Sequence, residues 1–326
     1  MVEIIKPGIL IDFVSNFKKA ISLSLILILI GIVSLIIHNG PKLGIEFKGG
    51  TSIHVEFNNK VNVADLRDAI KVSPMFKNSK IQSFGNKGNE FVIYSKFSTS
   101  STDKSMENNI RQYLTKKFGN TYKIVRVDMI GPKIGKEFRN NGIEAIILSL
   151  IAILIYISIR FQYRFAFGAI LALFHDVLIT VGFLSIFNYE FTLDVVAAIL
   201  TLIGYSVNDT IVVFDRIREK VRNNRKLSNE EAVNLGISET LSRTILTSGT
   251  VLFVVLALFL FGGNSLRGLS FALLIGTLSG TYSSIFIASP ILLLFKGKLM
   301  PEKKEKDSVD KFKERVAFDM KNIQDK

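Results

Sequence analysis

Six long apolar runs constrain this chain more than any other feature of its sequence. They cover approximately residues 20–37, 143–159, 165–187, 191–214, 241–261 and 268–295. Crossing a bilayer takes ~20 predominantly apolar residues, because the hydrocarbon is ~30 Å thick and a helix rises 1.5 Å per residue. The chain therefore reads as an integral membrane protein with six transmembrane helices. The first run follows Lys18 and Lys19 but is too long for a signal-peptide core, and His38-Asn39-Gly40-Pro41 offers no small-residue cleavage site, so it reads as an uncleaved helix.

Basic residues set the expected orientation. The net charge is +13, yet the Lys and Arg gather beside the apolar runs, which is membrane topology and not a nucleic-acid footprint. Lys18 and Lys19 precede helix one, Arg160 and Arg164 lie between helices two and three, and Arg216, Arg218, Lys220 and Arg222 lie between four and five. Lys296, Lys298, Lys303 and Lys304 follow helix six. All fall on one side, so the positive-inside rule predicts cytoplasmic termini in a multi-pass protein of the cytoplasmic (inner) membrane, set in the lipid bilayer. The expected divisions are a cytoplasmic N-terminus at 1–19, helix one at 20–37, an external domain at 38–142, helices two to six within 143–295 with a cytoplasmic loop at about 215–240, and a charged tail at 296–326. In the tail Val309, Phe312, Val316, Met320 and Ile323 recur at helical spacing, which fits a basic amphipathic helix or a solvated tail.

The external segment has its own periodicities. Residues 51–57 alternate Ile53, Val55 and Phe57 against Ser52, His54 and Glu56, the period of a half-buried strand. Residues 63–72 and 103–118 carry apolar side chains at helical spacing, with Tyr113 or Leu114 completing the second face. Residues 81–84, 91–97 and 122–130 read as further strands. The order βαββαβ predicts a ferredoxin-like α+β sandwich, an architecture silent about chemistry.

Enzymatic chemistry finds no support. Cysteine is absent, which excludes disulfides, thiolate metal sites and thiol nucleophiles. His38, His54 and His175 share no metal-ligand spacing, and there is no P-loop. The glycines Gly44, Gly49 and Gly50 precede a strand, so they read as a turn or bulge and not as a phosphate cradle. No cofactor is expected.

Charges within hydrocarbon cost ~2.5–3.5 kcal/mol each on insertion scales, so they mark candidate sites. Glu144 and Asp194 fall near helix ends, where water reaches. His175 and Asp176 are neighbours pointing ~100° apart, suited to an interhelical hydrogen bond or to proton movement. Asp209 and Arg243 are expected at comparable depth on antiparallel helices, where a carboxylate and a guanidinium can pair. Loss of that pairing pushes a buried carboxylate toward its protonated form, the physics of a switchable proton carrier, whereas the same pair held static would only fix helix packing. Asn208, Thr247 and Ser248 are candidate supporting groups, and small residues nearby, including Ser206, Ser279, Gly280 and Ser283, suit tight packing or a water file.

Four segments carry a family resemblance. Gly44-Ile45-Glu46-Phe47-Lys48-Gly49-Gly50-Thr51 resembles the GxDFxGG motif of the SecD/SecF family of protein-export subunits, with Glu46 where Asp is usual. The stretch 127–137, with Gly131, Pro132 and Gly135, is similar to that family's VGPxxGxE segment. Residues 205–219, with Asn208, Asp209, Asp215 and Arg216, and residues 242–248 resemble the fourth- and fifth-helix motifs of its SecF branch. The family is related to the resistance-nodulation-division exporters. The resemblance implies an accessory subunit of the Sec translocase that pairs with SecD beside the SecYEG channel, helps draw unfolded polypeptide outward, and uses protons as coupling ion through Asp209 and Arg243. The rival readings are a small-molecule or lipid exporter of the wider superfamily and a non-conducting assembly subunit.

Overall fold

A computed structural model describes residues 11–84, 88–95, 103–224, 226–263, 266–295 and 299. The tail expected beyond 299 lies outside the described residues. Helix α1 (Phe17–Ile37) leads to a short helix α2 (Ile45–Lys48) and strand β1 (Gly50–Phe57). Then follow α3 (Val63–Lys71), β2 (Lys80–Phe84), β3 (Glu90–Ser95), α4 (Asp103–Phe118) and β4 (Tyr122–Ile130). The remaining long helices are α5 (Pro132–Arg160), α6 (Tyr163–Ile186), α7 (Leu193–Asn223), α8 (Asn229–Phe261) and α9 (Arg267–Ser283).

Among the described residues six helices are long and apolar enough to cross a membrane: α1, α5, α6, α7, α8, and α9 with its continuation to Leu294. Burial divides them. α6, α7 and α9 form the inner layer, while α1, α5 and α8 bury only a small share of their apolar windows and present the rest to the surroundings. Such all-round apolarity is intelligible only in a bilayer, and the chain is a multi-pass membrane protein.

The soluble domain is an antiparallel sheet in the order β2-β3-β1-β4, with the βαββαβ succession of a ferredoxin-like sandwich. Period-two alternation in β1 sends Ile53, Val55 and Phe57 to one face, where α3 brings Leu66 and Ile70, and α4 brings Met106, Ile110 and Leu114, all essentially inaccessible. Leu114, and not the half-buried Tyr113, completes the α4 face. Phe57 anchors this core edge-on to Phe91 and Phe118, with ring centroids 5.8 and 5.0 Å apart.

Helix α5 begins at Pro132, eleven residues before the expected start of helix two at 143, and two further stretches differ from the sequence expectation. The expected loop at about 215–240 is mostly helix: α7 continues to Asn223 and α8 begins at Asn229. A capping box starts α8, with Ser228 accepting from the Glu231 amide while Glu231 accepts from the Ser228 amide. This extra length is amphipathic, not apolar, so hydropathy passes over it. Ion pairs to Glu239 on α8 hold the projecting ends together, from Arg216, which also pairs with Glu219 on its own helix, and from Lys220 at 2.6 Å. The second stretch is in the sixth span, which turns π-helical at Ser284–Ala288 and then α-helical at Ser289–Ile291. Pro290 has no N–H for the carbonyl four residues back and its ring crowds that carbonyl, so the helix changes register ahead of it.

The membrane half and the soluble domain are joined by backbone. Phe191, between α6 and α7, donates its N–H to Lys42 O at 2.7 Å and accepts from Gly44 N at 2.9 Å, a parallel bridge between Leu43 and Phe191. The glycine motifs meet at a second joint. Gly49 has φ of 74°, and a β-carbon there would lie 2.8 Å from Pro132 Cα, while one on Gly135 would lie 2.9 Å from Gly49 N. Pro132 opens α5 in the position where its missing N–H costs nothing, capped by Gly131. Thus Gly49, Gly131, Pro132 and Gly135 form the close approach of α2 to the start of α5; the neighbouring Gly50 opens β1, with φ of 146°.

Candidate functional site

The polar centre of the membrane half lies where α6, α7 and α9 cross, with α8 laid over one side. On α7 the buried stripe Ile199, Leu202, Ser206, Asp209 and Val213 follows helical periodicity, so Asp209 faces inward and is 3% exposed. Its carboxylate accepts from Ser248 Oγ on α8 at 3.2 Å. Ser248 Oγ in turn receives Tyr205 Oη at 3.1 Å and Thr281 Oγ1 at 2.7 Å, so one hydroxyl ties α7, α8 and α9 to the carboxylate.

Arg243 does not form the expected ion pair with Asp209. On α8 the buried stripe is Leu241, Thr244 and Ser248, whereas Arg243 lies ~100° round the helix and is exposed. It is also five residues below Ser248, about 7.5 Å along the axis. By count along the apolar runs the two residues lie at similar depth, but α8 begins at Asn229, twelve residues before its apolar run, and its rotation turns Arg243 away from Asp209. The guanidinium remains within Coulombic range of Asp209. Thr247 is exposed one turn after Arg243 and bonds its carbonyl at 3.0 Å, and Asn208 is exposed on α7.

The second carboxylate is the more enclosed. Asp176 on α6 is 1% exposed and accepts four hydrogen bonds, as many as a carboxylate has lone-pair sites. Oδ2 receives Ser206 on α7 at 2.6 Å and Ser283 on α9 at 2.8 Å. Oδ1 receives Ser279 on α9 at 2.7 Å and its neighbour His175, through Nδ1, at 3.0 Å. The sequence reads the three serines as suited to packing or a water file, and its legible signal is the four-residue spacing that puts Ser279 and Ser283 on one face of α9.

The other candidates lie elsewhere. Glu144 and Asp194 are exposed. Asp215 faces Arg160 and Arg218 at 3.8 Å each, near the far ends of the helices, where Arg216 joins the ion pairs described above.

Between the open face of the sheet and the rim of the helices lies a polar cleft of roughly 850 Å³, lined among others by Glu46, His54, Tyr94, Arg126, Glu190 and Asp194. Tyr94 Oη donates to Glu190 at 3.0 Å and Lys42 pairs with Glu190 at 3.3 Å. Burial, then the adjacent Glu190, pushes the Tyr94 phenol well above its ordinary range. Burial likewise raises the Glu46 carboxyl and lowers the His54 imidazole, so each favours its neutral form here.

Residues 110–298 match the family described as "Protein export membrane protein SecD/SecF, C-terminal", and residues 34–61 match its GG motif. A protein translocase subunit SecF from Helicobacter pylori is 39% identical over 294 residues, covering 90% of this chain and 89% of its own. Its counterpart from Calditerrivibrio nitroreducens is 43% identical over 300 residues, covering 90% and 97%. The crystal structure of SecDF from Thermus thermophilus, a translocon-associated membrane protein, superposes with a TM-score of 0.78 at 32% identity, over 89% of this chain. This chain spans 39% of that longer one. By the family match over most of its length and by near-full-length relatives at about 40% identity, the chain belongs to the SecD/SecF family of protein-export membrane proteins.

Proposed function

We propose that this chain is an accessory subunit of the Sec protein translocase which works with SecD beside the SecYEG channel, using the proton gradient to promote export of unfolded polypeptide. The observation that carries this reading is a cation, Arg243, exposed on a membrane span within Coulombic range of a buried carboxylate. Charged and polar side chains left exposed on a membrane span are unfavourable, so the α7–α8 surface bearing Arg243, Asn208 and Thr247 calls for a covering helix. SecD, fused to the SecF part in the longer relative, supplies it. The soluble domain lies on the outer side and both termini in the cytoplasm, in keeping with the basic flanks.

In this reading Asp209 is the group that carries the proton and Arg243 biases its charge without being bonded to it. Protonation of Asp209 removes its negative charge, changes what Ser248 holds, and frees α8 to shift against α7 and α9. One charge crossing 100 mV carries ~2.3 kcal/mol, enough to bias a two-state motion of helices joined to the soluble domain. Protons are the coupling ion; no other cofactor and no bond-making catalysis are required.

The test is gradient-driven translocation of a preprotein into vesicles holding SecYEG, SecD and either the parent chain or Asp209→Asn at equal amounts. Loss of the gradient-dependent component is expected. Undiminished export by Asp209→Asn would remove the proton-carrying role.

A further inference from the structure

His175 stands out beside the four-fold bonded Asp176. Because a carboxylate only accepts, the 3.0 Å contact fixes Nδ1 as the donor and leaves the lone pair on Nε2. That atom is buried and makes no hydrogen bond among the described residues, in a side chain only 8% exposed. An interhelical tie needs Asp176 and its serines; it has no use for an enclosed basic nitrogen. Buried polar atoms without partners are uncommon and point to a role.

We propose that His175 and Asp176 form a second proton-holding site, working in series with Asp209 and passing its state to α1; the proposal rests on the proton-driven reading above. A proton arriving at Nε2 makes one N–H bond and turns the pair from imidazole–carboxylate to imidazolium–carboxylate, and its departure restores the first state. The net charge of the cluster changes by one at the crossing of three helices.

Two sets of contacts give that change somewhere to go. Toward Asp209, α7 carries one carboxylate and bonds the other. Ser206, bonded to Asp176, is one turn before Asp209 on α7; Ser284, next to Ser283, shares a 2.9 Å hydrogen bond with Thr210, next to Asp209. The π-helical stretch begins at Ser284, and such stretches mark helices with an alternative register near functional sites. Toward α1, the His175 ring stacks on Tyr282, with centroids 6.1 Å apart and planes at 26°. Tyr282 Oη donates to Ala20 O at 2.7 Å and receives Ser24 Oγ at 3.3 Å, both on α1, which runs on into the soluble domain.

The titratable groups around the pair are few. α9 brings Tyr282, and α7 brings Asp209. The charges of α1, Lys18 and Lys19, lie at its start, and Glu144 on α5 lies nearer the soluble domain and is exposed.

The experiment is proton flux into vesicles loaded with a pH-sensitive dye and containing this chain with SecD, driven by an imposed potential and measured across external pH for the parent, His175→Gln, Asp176→Asn and Asp209→Asn. His175→Gln is expected to keep assembly with SecD while displacing and flattening the pH profile. Asp176→Asn is expected to lower flux by about tenfold or more, as for loss of a positioned proton-transfer group. Should Asp176→Asn fail to assemble, His175→Gln decides. A His175→Gln profile superimposable on the parent, with Asp209→Asn inactive, overturns the second site alone. If Asp209→Asn also conducts normally, the proton-driven reading falls with it.

Discussion

Gly31 on α1 and Gly182 on α6 meet backbone to backbone: a β-carbon on Gly31 would stand 2.8 Å from the Cα of Gly182. Ser34 and Ser185, one turn on, share a 2.9 Å hydrogen bond, so small residues let the two helices approach as membrane helices do when no hydrophobic force separates protein from lipid. Replacing Gly182 by Leu should force α1 away at a cost of about 1–3 kcal/mol, as for other overpacked sites. A fall in the thermal midpoint of the detergent-purified protein, larger for Gly182→Leu than for Gly182→Ala, is the expected reading.

Ser248 relays to Asp209 the positions of α8 and, through Thr281, of α9. Ser248→Ala should therefore weaken gradient-driven export without abolishing it, because the carboxylate remains but its partner does not. Ser248→Thr, which keeps the hydroxyl, should restore most of it. Equal activity of Ala and Thr variants in the translocation assay would show that the hydroxyl has no part.

Glu46 makes the joint between the soluble domain and the helices sensitive to pH. Burial raises its carboxyl above the ordinary 4.5, helped by Asp194, Glu190 and Asp128 and opposed by its own backbone amide. A raised carboxyl binds its proton more tightly when folded, so its contribution to stability is complete below 4.5 and is lost as pH rises through the folded value. Glu46→Gln should remove that slope and raise the melting temperature at neutral pH, which differential scanning fluorimetry across pH will record.

Phe57 holds the sandwich core between sheet and helices, 1% exposed against Phe91, Phe118 and Tyr122. Phe57→Ala should cost the soluble domain about 3–5 kcal/mol. Faster proteolysis within residues 50–130, with the membrane half intact, is the expected signature.

The spans and the βαββαβ order were readable because each rests on a local period: unbroken apolarity for helices in lipid, alternation for β1, three-to-four spacing for α3 and α4. What depended on rotation and stagger was not. Asp209 and Arg243 are at similar depth by count, but the stripe of Leu241, Thr244 and Ser248 turns Arg243 outward, and no single-helix argument fixes that turn. Residues 229–240 lacked the hydropathy of a span, so the start of α8 was hidden by its amphipathic character. The serines around Asp176 have the composition of packing residues, and only the meeting of three helices makes them ligands of a carboxylate.

Backbone fastens the soluble domain at three places: the chain leaving α1, Gly49 against Pro132 and Gly135, and the bridge from Leu43 to Phe191. A body hung from one thread swings idly, whereas one bolted at three corners goes only where its frame goes. Whatever travel the sheet undergoes must be borrowed from relative sliding of α1, α5 and the α6–α7 turn. Three anchors so placed leave the sheet no swing independent of those helices.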